Sequence, residues 1–120
     1  MKICILGGVG AQADIWERSQ DPEFVEFRNG YPAEKRAAYL SAFTQLDGIR
    51  YVPHAAPVAV SFQFARFERY FDDPSRNAYF AATSEPKRIS WYPTGHDLND
   101  PAAWKDRARW LQEHIGLRVK

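Results

Sequence analysis

A single cysteine, Cys4, stands in the 120-residue chain, which excludes an internal disulfide and any cysteine-based metal cluster within one chain. Long apolar runs are missing too. The longest uninterrupted stretch is a few residues, far short of the roughly 20 that a membrane helix needs. One Lys and a short apolar run precede Gly7, too little for a secretory signal, so the expectation is a cytoplasmic protein with no membrane partner. Charge of one sign is also absent. Sixteen Lys and Arg balance fifteen Asp and Glu, a formal net charge of +1, and neither sign forms the stripe that nucleic acid would need. Repeats, low-complexity tracts and long linkers are lacking, so a single domain over residues 1–120 is expected, with no metal and no cofactor.

What is present is enough apolar mass for a modest core: 45% of residues are hydrophobic and 15% aromatic. KICILGG reads as a strand covered on both faces, with Cys4 packed inside it as a small hydrophobe. From Ala11 to Gly30, Trp16, Phe24, Val25 and Phe27 mix with charges without a clean period, and short helical turns are expected. PAEKRAAYLSAFTQLDG then places Tyr39, Leu40, Phe43 and Leu46 at helical spacing, begins at Pro32 and stops at Gly48, which predicts a helix.

VAVSFQF is a second buried strand, with Phe62 and Phe64 on its core face. Asp73-Pro74 reads as an N-cap and first helical residue, opening a helix through Ala78, Tyr79 and Ala82. KRISWYP is a third strand. Asp100-Pro101 repeats the capping device, and Trp104, Ala108, Leu111 and Ile115 fall on one helical stripe that ends at Gly116. Trp91, Tyr92, Trp104 and Trp110 are expected in the core or at helix-docking positions. Strands alternating with helices imply an α/β fold, a small three-stranded parallel sheet with flanking helices.

The glycines after the first strand admit another use. Gly8-Val9-Gly10-Ala11-Gln12-Ala13 fits the G-x-G-x-x-G/A fingerprint that seats a dinucleotide pyrophosphate on a helix N-terminus. Such a fold needs a second strand ending in an acidic residue about 20 positions later. FVEFRN is too short and too charged to be that strand. The favoured reading is that the glycines end a buried strand.

Ligands of an open parallel sheet gather at the carboxyl ends of its strands. The loop after the second strand offers Glu68, and the loop after the third offers His96. A carboxylate beside an imidazole is the orienting half of a nucleophile-base-acid triad: the acid fixes the tautomer and stabilises the charged ring. Phe67, Tyr70 and Phe71, expected in the same loop as Glu68, are candidates to line an acyl pocket. His54 and His114 read as structural.

FQFARFERYFDDP followed by KRISWYPTGHDLNDPAAWKDRARWLQEHIGL resembles the C-terminal third of an α/β-hydrolase of the esterase and dienelactone-hydrolase branch. The resemblance places Ala65 where a turn glycine is usual, Glu68 on the acid, Gly95-His96 on the catalytic histidine motif and WLQEHIGL on the closing helix. YVPHAAP resembles the segment leading into the acid-bearing strand, and ICILGGVG the strand that follows the nucleophile elbow. There are departures. The acid is Glu rather than the commoner Asp, and no G-x-S-x-G elbow is present: the six serines stand in RSQ, YLSAF, AVSFQ, DPSRN, ATSEP and RISWY.

In family terms the chain begins just after the nucleophile, as a single truncated hydrolase-like domain. The strand matching KICILGG is interior in that family, so its free edge predicts a homodimer joined through the first strand, which would complete the partial hydrolase fold. The expected function is hydrolysis of a small-molecule carboxylic ester, with His96 as base, Glu68 as orienting acid and the nucleophile unidentified. The alternative is a non-catalytic hydrolase fragment, or a subunit whose partner supplies the nucleophile.

Overall fold

AVSFQFARF combines β-branched and aromatic residues with almost no exposed position, and it forms the central strand. In the computed structural model, which describes residues 3–6 and 10–118, the order is β1 (Ile3–Leu6), α1 (Gln12–Arg18), α2 (Pro22–Gly30), α3 (Ala33–Thr44), β2 (Ala59–Phe67), α4 (Asp73–Ala82), β3 (Lys87–Gly95) and α5 (Pro101–Ile115). Two short 3-10 turns, Gly48–Arg50 and Val52–His54, precede β2. Strands lie in the order β1-β2-β3. β2 runs parallel to both neighbours, from Ile3 opposite Ala59 to Leu6 opposite Phe62 on one side, and from Val60 opposite Lys87 to Ala65 opposite Tyr92 on the other. The mixed α/β class and the parallel pairing agree with the expectation from sequence.

The two faces of β2 meet different chemistry. Phe62 and Phe64, essentially unexposed, pack with Val52, Val60 and Tyr79 in the main apolar cluster. Phe62 meets the rings of Tyr79 and Phe80 on α4 edge-on, at 5.2 and 5.5 Å. On the opposite face Gln63, also buried, is fully engaged. Its Nε2 donates to the Tyr92 hydroxyl (3.0 Å) and the Ala103 carbonyl (2.8 Å), and its Oε1 accepts from Arg107 Nε (2.9 Å). Tyr92 in turn donates to Asp106 (2.9 Å). Burial, with the nearby Asp106 carboxylate, pushes the Tyr92 phenol above its ordinary pKa.

This network corrects the expected stripe on α5. The residues facing the sheet are Ala103 and Trp110, both buried, joined by Asp106 and Arg107; of the expected stripe Leu111 packs against Ala59 and Trp110, while Trp104 is 57% exposed and Ile115 47%. Apolarity alone selects Trp104, whereas the small Ala103 lets the helix backbone approach closely enough to accept from Gln63. Leu46, expected on the stripe of the helix from Pro32, is likewise exposed, because α3 ends at Thr44 and Gly48 opens a 3-10 turn.

Aspartate caps set the helix starts. Asp21, Asp72 and Asp100 accept from the backbone N–H of Glu23, Ser75 and Ala102. The cap of α4 is therefore Asp72, one residue before the expected Asp73, which is the first helical residue. Asp21-Pro22 is the same device, and it makes Pro22–Gly30 a regular helix where only short turns were expected. Gly10 has a packing reason: a Cβ there would lie 2.5 Å from Cδ2 of Tyr79 and 2.9 Å from Cβ of Ile49. The backbone at Gly10 thus lies directly against the buried Tyr79 ring. The burial expected for Cys4 and the turn expected at Gly7 and Gly8 lie outside the described residues.

Helices α2 and α3 contain no buried residue, and the molecule is 51 Å long with a radius of gyration of 16.1 Å, against about 14 Å for a compact chain of this length. No helix among the described residues is long and apolar enough to cross a membrane. Phe62→Ala is expected to destabilise the protein by about 3–5 kcal/mol in urea denaturation, whereas Trp104→Ala should leave the midpoint almost unmoved; equal effects would contradict this placement of the core.

Candidate active site

At its carboxyl end β2 changes register between Ala65 and Phe67. This irregularity leaves Phe67 opposite Gly95 and 68% exposed. Arg76 of α4, only 3% exposed, holds the bend: its Nη1 donates to the Ala65 carbonyl and its Nη2 to Asp73. The guanidinium also lies over the Trp91 ring, 4.7 Å from its centre. Beyond the bend Glu68 turns inward, its side chain 3% exposed. One carboxylate oxygen, Oε1, accepts from the backbone N–H groups of both Arg69 and Tyr70 at 2.9 Å. These two donors are built into the chain immediately after Glu68, so the carboxylate is held by its own loop.

His96 follows Gly95 at the end of β3, in a turn closed by the Leu98 N–H on the Gly95 carbonyl (3.0 Å). Its Nδ1 lies 2.8 Å from Glu68 Oε2. A carboxylate can only accept, so Nδ1 carries the proton in the neutral ring and Nε2 carries the lone pair. Nε2 has no hydrogen-bond partner among the described residues, and the side chain is 46% exposed. Tyr70 meets the imidazole edge-on at 4.7 Å, with Phe71 at 6.1 Å. The buried carboxylate and half-exposed imidazole therefore form an ordered pair, with the second ring nitrogen unpartnered among the described residues.

The loop bearing Glu68 is fastened to the corner between α1 and α2. Arg18 pairs with Asp72 at 2.5 Å, and Arg69 pairs with Asp21 at 2.9 Å and with Glu23 at 3.6 Å. Each side of the join contributes a cation and an anion, while Phe24 of α2 meets Tyr70 edge-on at 5.8 Å. Partial burial pushes the Asp72 carboxyl up, but the Ser75 N–H and hydroxyl and the Arg18 guanidinium outweigh it and hold the group below its usual pKa.

Recesses surround the pair. One of about 290 Å³ is lined by Ile15, Phe24, Tyr70, Phe71 and His96. Another of about 210 Å³ runs from His96 and Leu98 over Glu68 and Phe71 to Gln63, Phe64, Ala65 and Arg76. A third, about 240 Å³, is bordered by the charged side chains of Asp14, Arg18, Arg69 and Asp72 together with Tyr70 and Phe71. The recesses that His96 lines contain no Ser, Thr or Cys among the described residues. Ser19 and Ser75 line only the third, and both are buried.

Of the five candidates from sequence, Glu68, His96, Tyr70 and Phe71 come together. Phe67 does not. It is the last residue of β2, not a loop residue, and the register shift turns it to solvent away from these recesses. Ile15 and Phe24 escaped sequence reasoning because they reach the site from about 50 residues away through tertiary packing, with no local motif. Arg76 escaped it too, although an Arg four residues after the Asp72 cap could have been read as facing the strand end.

The dinucleotide alternative meets an obstacle at α1. The Gln12 N–H at the start of that helix donates to Asp47 Oδ1 at 2.7 Å, so a buried carboxylate occupies the place where a phosphate would sit. No group of three or more His, Cys, Asp or Glu side chains among the described residues could hold a metal. No protein-family model matches the chain, and no curated protein matches it.

Because Asp72 has a lowered pKa in the folded protein, its contribution to stability is present above the ordinary aspartate value of about 3.9 and is lost as pH falls through the folded value. Asp72→Asn retains a capping oxygen but not the charge. The wild type should accordingly lose stability on acidification below about pH 4 more steeply than Asp72→Asn in urea titrations. Superimposable acid limbs would show that the Arg18–Asp72 join contributes nothing.

Proposed function

We propose that the protein is a small carboxylic ester hydrolase built on a partial α/β-hydrolase sheet of three strands, with His96 as general base and Glu68 as the acid that orients it. The observation that carries this reading is the 2.8 Å contact between a half-exposed imidazole and a carboxylate whose side chain is 3% exposed, at the ends of adjacent parallel strands. Surface ion pairs do not account for it. Glu68 makes no ion pair with the neighbouring arginines, and its second oxygen is held by two backbone N–H groups.

The chemistry follows from the tautomer. Nε2 takes a proton from water as the oxygen attacks the ester carbonyl, and the imidazolium so formed is stabilised by Glu68. Collapse of the tetrahedral intermediate breaks the bond to the alcohol oxygen, and the same proton returns from Nε2 to the leaving alkoxide. Water is the nucleophile in this scheme because neither recess at His96 offers a Ser, Thr or Cys side chain among the described residues.

That same observation favours a second reading, a hydrolase subunit whose partner supplies the nucleophile. β1 pairs only with β2 among the described strands, and the sheet edge it leaves is where a second copy or a partner would join, the first being the homodimer expected from sequence.

Hydrolysis of p-nitrophenyl acetate and butyrate tests the first reading. His96→Ala should lower kcat/KM by about 10²–10⁴-fold, the range for general acid-base catalysis, and Glu68→Gln should lower kcat with little change in KM; an unchanged rate in His96→Ala rules the base out. Light scattering coupled to size exclusion tests the second. A dimeric mass at micromolar concentration supports joining through β1, and a monomer throughout removes it.

A further inference from the structure

We propose that the recess between the α1–α2 corner and the Glu68 loop is the acyl site of the substrate, that it takes a short uncharged acyl group, and that Phe24 sets the length it accepts. The proposal rests on the reading of His96 as a hydrolytic base. It adds a substrate class and a specificity-determining residue that lies in sequence far from the acid and the histidine.

The lining decides the chemistry. Ile15, Phe24, Tyr70, Phe71 and His96 present aromatic and aliphatic surface with no carboxylate, ammonium or guanidinium. A charged acyl chain would lose its hydration there with nothing to replace it. The other recess that His96 lines differs, with Gln63, Glu68 and Arg76 around it, and it suits water and a departing alcohol. An ester carbonyl at His96 Nε2 therefore has an apolar recess on one side and a polar one on the other. The acyl chain goes to the apolar one, because the alcohol leaves with a proton and is better solvated among polar groups.

Size decides the length. About 290 Å³ is at the small end for ligand sites, which run from roughly 300 to 1,000 Å³. Tyr70 meets both rings, His96 at 4.7 Å and Phe24 at 5.8 Å, and Phe24 is the aromatic wall that α2 contributes to the recess. The wall it belongs to is fixed. Asp21, whose side chain is 4% exposed, immediately precedes α2 and is held by Arg69, and Arg18 at the end of α1 is held by Asp72.

The test uses the full chain and p-nitrophenyl esters from acetate to octanoate. Phe24→Ala should move the preference to longer acyl groups, raising the octanoate-to-acetate ratio of kcat/KM by about fourfold per methylene newly accommodated, the worth of one buried CH₂. Phe24→Trp should lower that ratio, and Phe24→Leu should shift it in the same direction as Ala but less. An unchanged ratio in all three overturns the proposal, as does a shift seen only when the alkyl group of acetate esters is varied, which would place the alcohol in the recess. Failure of the hydrolase reading is distinct: every ester is then inert or His96→Ala is as active as the wild type. In that event the recess is read by NMR of the His96 ring protons with N-propylbutyramide. A shift that Phe24→Trp abolishes supports an apolar acyl-sized site beside His96, and no shift in the folded wild type overturns it.

Discussion

The hydrogen bond between Glu68 and His96 is the contact on which the carboxyl edge of the sheet depends. It joins the exits of two parallel strands that leave the sheet side by side. The irregularity after Ala65 sets Phe67 opposite Gly95, so the residues that follow, Glu68 and His96, leave the two strands side by side. The bend is held from behind by Arg76, buried against Trp91 and donating to the Ala65 carbonyl. A buried cation is costly unless it is paired and bonded, and here Asp73 and the strand end supply both partners. Arg76 thus holds the strand end from which the Glu68 loop departs, and the N–H groups of that loop order the carboxylate.

A second constraint operates on the opposite face. Gln63 is enclosed between β3 and α5, with its amide shared among Tyr92, Ala103 and Arg107. A buried amide in the middle of an apolar strand is tolerated only when it is satisfied, and satisfying it sets the rotation of α5 about its axis. Phe62 and Phe64 supply most of the apolar core on the α4 side, and Gln63 specifies how the last helix docks. The helical segment between β1 and β2 has few buried residues of its own, Ile15 and Trp16 on α1 and none on α2 or α3. The crossed ion pairs to the Glu68 loop are what tie its first corner to the sheet.

Much of this was legible from residue order. The β-branched and aromatic run of β2, the cap-and-proline starts of α4 and α5 and the placement of Glu68 and His96 after successive strands all rest on local rules, and the structure brings that pair to 2.8 Å. What failed had non-local causes. Trp104 reads as a core residue by apolarity, yet the sheet selects Ala103 because its backbone must approach Gln63. Phe67 reads as a loop residue until the extra length of β2 is known. Ile15 and Phe24 carry no sign of a site, since they become neighbours of His96 only when the α1–α2 corner folds back on the loop. The glycine at position 10 answers to Tyr79, some 69 residues later, and no local pattern announces that contact.

The Glu68 contact fixes the His96 tautomer and leaves the Nε2 lone pair open. Nitrogen-15 chemical shifts of the His96 ring in its neutral form measure this directly. A protonated Nδ1 and an unprotonated Nε2 are expected in the wild type, with that preference lost in Glu68→Ala. A wild-type ring protonated at Nε2, or a tautomer indifferent to Glu68, would contradict it.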